Sequence, residues 1–361
     1  MITMMRKYPF INENVRRSLL IGVVGWLLIV FALLFAVRSA GAQELGSVRL
    51  SSRGSDSAFL KKMPWSGYWW SRAEGKLVKG WAGHAESPMQ RYDRYVMSRT
   101  GKNPGAQAWE QKNHYNPTAP SWWGHCNGWA AASIMEPEPR RNRTLNGIAF
   151  TVADQKALLS EMCMDVRTLF YGNRQNDVTL ATQDIRPDLF HRLLVENIKK
   201  RGRGIVADTS WSKSVWNFPI CGYETEWAPV WFFHNRVWVT TTVHFVTDGV
   251  KPEFVGTETF TQTYHYILNL NDRGEVVGGF WDPRSLWNHP DFVWIPVADV
   301  PSEGGENPCL SPRFVREITG TAPAAEPVLA MAEPAIESSG SADARLVALR
   351  EAGIDPAAYF E

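Results

Sequence analysis

The chain has almost no net charge. Its 361 residues set 38 Lys and Arg against 37 Asp and Glu, a formal charge of +1. No strong basic field is offered to nucleic acid, and a nucleic-acid partner is excluded on that ground. Cysteine is scarce too: only Cys126, Cys163, Cys221 and Cys309 occur. A small disulfide-dense scaffold is thereby excluded, and if Cys126 is a free nucleophile at most one internal pair can form. No Cys-x-x-Cys, His-x-x-x-His or His-Glu-x-x-His pattern is present, so spacing does not support a zinc site. An EF-hand loop and an internal repeat are also missing.

Tryptophan is abundant, with 17 residues. Most can be read as volume-filling, but Trp65, Trp69, Trp70, Trp122, Trp123 and Trp281 sit in turn-like sequence and suggest binding surfaces. The 44% hydrophobic and 21% charged composition is that of a globular protein, long enough for two ordinary domains or one large one.

One long apolar run exists. Residues 19–37 carry no charge and, as a helix, would span roughly 28 Å, about one hydrocarbon core. Arg6, Lys7, Arg16 and Arg17 precede it, which keeps the first residues cytoplasmic and exports the rest. The first expectation is a signal-anchor segment at 1–42, with the protein held at the membrane through 19–37 and facing the periplasm or exterior. The second is secretion after cleavage near Ala42, because Ala40-Gly-Ala42 has the small residues of a cleavage site.

Residues 43–62 read as a polar linker, 63–318 as the folded region, and 319–361 as a disordered Ala/Pro-rich tail. Within the folded region, 121–200 reads as mainly helical and 204–297 as strands, notably Thr259–Leu270 and Val276–Trp281. Helices followed by an antiparallel sheet describe an α+β domain.

The chemistry points to Ser121-Trp-Trp-Gly-His-Cys-Asn-Gly-Trp-Ala130. It places Cys126 between Gly124 and Gly128, at the start of a helix-like run. A helix N-terminus offers free N–H groups and a positive dipole end, both of which favour the thiolate. The two glycines would let a substrate backbone approach. A thiolate enzyme of this kind needs a base and a group that fixes its tautomer. Alternation in Thr259–Leu270 sets Phe260, Tyr264, Tyr266, Leu268 and Leu270 on one face and leaves His265 on the polar one. The chain then turns at Asn271-Asp-Arg-Gly274 and returns to Asp282. A two-residue loop puts Asp282 opposite or diagonal to His265, whereas a three-residue loop with a glycine bulge sends it to the other face. His244 is the rival base, and the local alternative for Asp282 is a turn aspartate before Pro283.

Several segments then resemble one family. Val215-Trp-Asn-Phe-Pro-Ile-Cys-Gly-Tyr-Glu-Thr-Glu226 is similar to the surface peptide of the oomycete transglutaminase elicitors, and Trp123-Gly-His-Cys-Asn-Gly-Trp129 to their active-site segment. Asp184–His191 and the stretch from Gly278 to Phe292 follow in the expected order. The resemblance implies a secreted, calcium-dependent transglutaminase with a papain-like core, so 63–318 becomes a transglutaminase-like catalytic region. It also implies Cys126 as nucleophile, with His265 and Asp282 as its base and orienter. The expected reaction is acyl transfer from a protein glutamine to a lysine amine. Trp122, Trp123 and Trp129 would serve the oxyanion and the substrate. A papain-like cysteine peptidase or amidase, and a non-catalytic exported binding module, remain as alternatives.

Overall fold

The computed structural model describes residues 45–81, 83, 86–174, 184–209, 214–297 and 306–321. The apolar run at 19–37 and the tail from 322 lie outside the described residues. Among the described residues, no helix is long and apolar enough to cross a membrane.

In chain order the elements are β1 (Gly54–Phe59), α1 (Lys76–Lys79), α2 (Pro88–Thr100), α3 (Ala106–Asn113), α4 (Cys126–Met135), β2 (Arg143–Leu145), β3 (Ile148–Phe150), α5 (Val152–Met162) and β4 (Thr168–Gly172). Then come α6 (Pro187–Leu194), which runs into a π-helical turn (Val195–Lys200), β5 (Ile205–Asp208), β6 (Asn217–Val230), β7 (Phe233–Val246), β8 (Thr259–Leu270), β9 (Val276–Trp281), β10 (Phe292–Pro296) and α7 (Pro312–Thr319). Local chemistry sets the helix starts. Ser87 and Thr151 each accept from the backbone three residues on, and Gln90 and Asp154 reach back, closing capping boxes on α2 and α5.

Eight strands share one sheet in the order β4-β10-β5-β6-β7-β8-β9, with β1 added beside β6. Every pairing in it is antiparallel, in agreement with the expected α+β class. β6 is the spine. Its first residues pair with β5, and after a bulge between Ile220 and Gly222 the rest pairs with β1. Helices cover both faces. α4 packs on β5, β6 and β10, while α6 packs on β8 and β9, with Phe190 against Tyr264 and Trp281.

Two expectations are corrected here. Residues 45–62 are not a free linker: Val48 and Leu50 are buried, Leu50 N–H donates to Gly274 O, and Gly54–Phe59 forms β1. Polar alternation hid that strand. β6 lies within the 204–297 stretch expected to be strands, although Pro219, Gly222 and Pro229 interrupt any simple strand pattern there. Its first residues are buried, and Pro219 is tolerated beside the bulge. β4 was hidden inside a stretch read as helical.

The β8–β9 hairpin has a three-residue loop, Asp272-Arg-Gly274, with Gly274 at φ 76. A second irregularity at Val277 then restores the register, so that Tyr266 pairs with Trp281. His265 and Asp282 therefore stand side by side, and Asp282 N–H donates to His265 O at 3.1 Å. Two compensating bulges leave the pair on one face despite the three-residue loop.

Candidate functional site

Cys126 is the first residue of α4, four residues before the apolar run that announced the helix. The residue is 6% exposed, and its sulfur meets β6 and the chain just before it: Asn217 Nδ2 lies 3.5 Å from Sγ, and Val215 O lies 4.0 Å away. Chemistry fixes the direction of the first contact. The Trp294 indole N–H, a donor only, meets Asn217 Oδ1 at 2.8 Å, so the amide must turn its NH2 toward the sulfur. The motif that resembled a surface peptide thus supplies the residue that holds the Cys126 sulfur.

A short chain segment closes the site from the other side. Tyr68 bridges to Gly249 just beyond β7, and Trp69 O accepts His125 N–H at 2.6 Å. Asp248, buried beside that bridge, is close enough for its charge to raise the Cys126 thiol, as does that of Asp208. Burial is the larger cause. It pushes the thiol up, and the Asn217 side chain and backbone N–H offset it only in part. The resting sulfur is a thiol rather than the thiolate expected from the helix terminus. Burial also pushes the Asp248 carboxyl up to about 7, and its Oδ2 is buried with no hydrogen-bond partner.

The expected base is elsewhere. His265 pairs with Thr240, which pairs with Glu226 of β6. Asn217 and Glu226 are nine residues apart on one strand, roughly 25–30 Å at about 3.3 Å per residue. That separation replaces the expected contact of His265 with the sulfur. The His265 Nδ1 faces the Thr240 hydroxyl at 3.1 Å. Asp282 accepts from Arg284 Nε at 2.8 Å and Arg284 N–H at 3.0 Å, the arrangement of a turn aspartate. Its carboxyl is accordingly held below its usual range, first by Arg284. The rival His244 faces Glu224 at 3.1 Å and packs on Phe59. Among the described residues, no histidine hydrogen-bonds the Cys126 sulfur.

The tryptophans divide. Trp129 is fully buried and donates to Trp65 O at 3.3 Å, so it is core and not substrate-facing. Trp122 and Trp123 pack edge to face, and Trp123 Nε1 is buried without a hydrogen-bond partner. The two glycines serve the chain's own packing. A Cβ on Gly124 would run into Trp69 O, and one on Gly128 into Ser160 O. All four cysteines are free.

A second buried group lies next to Cys126 in the chain, through His125. Glu110 of α3, His114 at its C-terminus, His125 before α4 and Glu161 of α5 bring one ligand atom each within 4.8 Å of one another. Burial alone would push the His125 imidazole down, but facing Glu161 and Glu110 outweigh it and push it up to about 10. Two imidazole nitrogens among four donors do not fit calcium, which takes six to eight oxygens. Spacing rules missed this group because its members come from the ends and faces of three helices rather than from one.

The chain belongs to the transglutaminase elicitor family, which matches residues 97–235 and 232–305, together more than half of its length. The fold is similar to that of the crystal structure of the GP42 transglutaminase from Phytophthora sojae. The TM-score is 0.63 at 21% identity, over 75% of this chain and 92% of that one. No curated protein matches the sequence.

Proposed function

We propose that the protein is a protein-glutamine γ-glutamyltransferase in which Cys126 is the nucleophile and Asp248 the proton carrier. The carrying observation is the Cys126 thiol at the start of α4, held by Asn217, with the buried Asp248 carboxyl, pushed up to about 7, near enough for its charge to raise that thiol. Family membership supports this reaction class.

Cys126 Sγ–H gives its proton to the Asp248 carboxylate as sulfur attacks the glutamine carboxamide carbon. The C=O electrons move to oxygen. The backbone N–H groups at the start of α4 point toward that oxyanion, and the Trp123 indole N–H is a further donor. The oxyanion collapses, the C–N bond breaks, and Asp248 returns its proton to the departing nitrogen, which leaves as ammonia. A thioester remains. A lysine amine then attacks it, Asp248 takes the amine proton, and sulfur leaves to recover that proton. A carboxyl near pKa 7 suits both directions of transfer at neutral pH. Asn217 donates to sulfur and steadies the thiolate in both half-reactions.

The test uses the purified chain with a glutamine-donor protein and a labelled amine. Incorporation lost in Cys126→Ala and Asp248→Asn supports the assignment. Donor cleavage or deamidation without incorporation moves the protein to the hydrolytic class. Incorporation unchanged in Asp248→Asn removes the base.

A further inference from the structure

We infer that Glu110, His114, His125 and Glu161 form a binding site for one divalent transition-metal ion, of the zinc or manganese class, that ties α3, α4 and α5 together next to Cys126. The argument is independent of the reaction assigned to Cys126.

Acceptors on the far side of each imidazole orient the two rings. His125 Nδ1 faces Trp70 O at 3.0 Å. A carbonyl only accepts, so Nδ1 carries a proton, and with a cation bound in place of the Nε2 proton the ring would turn a lone pair on Nε2 into the cluster. His114 Nε2 faces a Glu306 carboxylate oxygen at 2.9 Å, so it too donates outward and turns Nδ1 inward. These are the outward hydrogen bonds that fix the tautomer of metal-binding histidines. The two inward nitrogens are 3.1 Å apart. Protons on both would place two donors head to head.

The carboxylates complete the set. Glu110 Oε1 is 2.9 Å from His114 Nδ1 and 3.2 Å from His125 Nε2. Glu161 Oε2 is 3.1 Å from His125 Nε2, and Oε1 is 3.8 Å from His114 Nδ1. Both Glu161 oxygens are buried without a hydrogen-bond partner. A carboxylate on a fully buried helix needs a positive partner, and a divalent ion held between it and the two imidazoles would supply one. A tetrahedral ion with bonds of about 2.0–2.1 Å sets its ligand atoms about 3.3 Å apart, close to the shorter separations here, and the widest, within 4.8 Å, would have to close on the ion. Two carboxylates neutralise a divalent charge, and the mixed nitrogen and oxygen donors select zinc, manganese or iron over calcium.

His125 immediately precedes Cys126, so the ion would anchor the chain entering α4 and act as a positioning element. The test takes the full-length chain, strips it with a chelator, and reconstitutes it separately with zinc, manganese, iron(II) and calcium. Bound metal is counted by mass spectrometry, and melting temperature is read in parallel. We expect one equivalent of a transition metal, a higher melting temperature than the stripped form, and no stoichiometric calcium. Cys126→Ala should keep the metal. Glu161→Gln should bind it at least tenfold more weakly. Glu306→Gln, which leaves the ligands in place, should weaken binding by roughly tenfold. A stripped chain that takes up no transition metal would overturn the site. Stoichiometric calcium would do the same, as would uptake unchanged in both Glu161→Gln and Glu306→Gln.

Discussion

At the scale of residues, the site is built on burial. Cys126 was legible from its glycine-flanked, helix-start setting, and it does open α4. That its sulfur rests as a thiol and not the expected thiolate was not legible, because the burial that raises it comes from elements distant in sequence, β6 among them. Asp248 follows a strand of β-branched residues and carried no motif, so no sequence signal marked it. Its role gives two checks. Turnover in Asp248→Asn should fall by about two to four powers of ten. In the wild type, kcat/KM should rise with pH through about 7, as Asp248 loses its proton, and a flat profile there would exclude it as the base. The sign for stability is the reverse. The folded carboxyl binds its proton more tightly than the unfolded chain does, so stability falls as pH rises from about 4 to about 7. Asp248→Asn should therefore gain stability over the wild type across that window, by ~4 kcal/mol at most from a shift of about three units. Parallel denaturation midpoints at pH 5 and pH 8 measure it, and equal differences at both would contradict it.

At the scale of elements, long periodic stretches were legible and interrupted ones were not. β8 and β9 have the bounds that alternation gives, since their apolar faces pack against α6. The bounds of β6 escaped because its prolines and bulge break the period, although it is the strand that both β5 and β1 join. The His265–Asp282 pairing was legible as hairpin arithmetic, and the bulge at Val277 rescues it. Its distance from Cys126 was not, because no local pattern reveals how far two elements lie apart along a sheet. The pairing of α4 with α5 gives a further check. Gly128 lets the helices approach until Ser160 O fills the space a Cβ would take. Gly128→Ala should cost about 1–3 kcal/mol or more of stability by overpacking. Urea unfolding measures it, and an unchanged midpoint would refute the close contact.

At the scale of the whole molecule, family and fold agree on a transglutaminase-like protein. The export expectation rests on the basic residues before the apolar run at 19–37, outside the described residues. A reporter fused after Gln43 should appear beyond the cytoplasmic membrane, and one retained in the cytoplasm would contradict the orientation. The central claim is that the glutamine acyl group is carried on Cys126. The direct measurement is peptide mapping by mass spectrometry of the chain incubated with a glutamine-donor peptide and quenched in acid before any amine is added. The account predicts an adduct of the donor mass less one ammonia on the peptide containing Cys126, lost on adding amine and absent from Cys126→Ala. An adduct on Cys163, Cys221 or Cys309, or amine incorporation by Cys126→Ala, would contradict it.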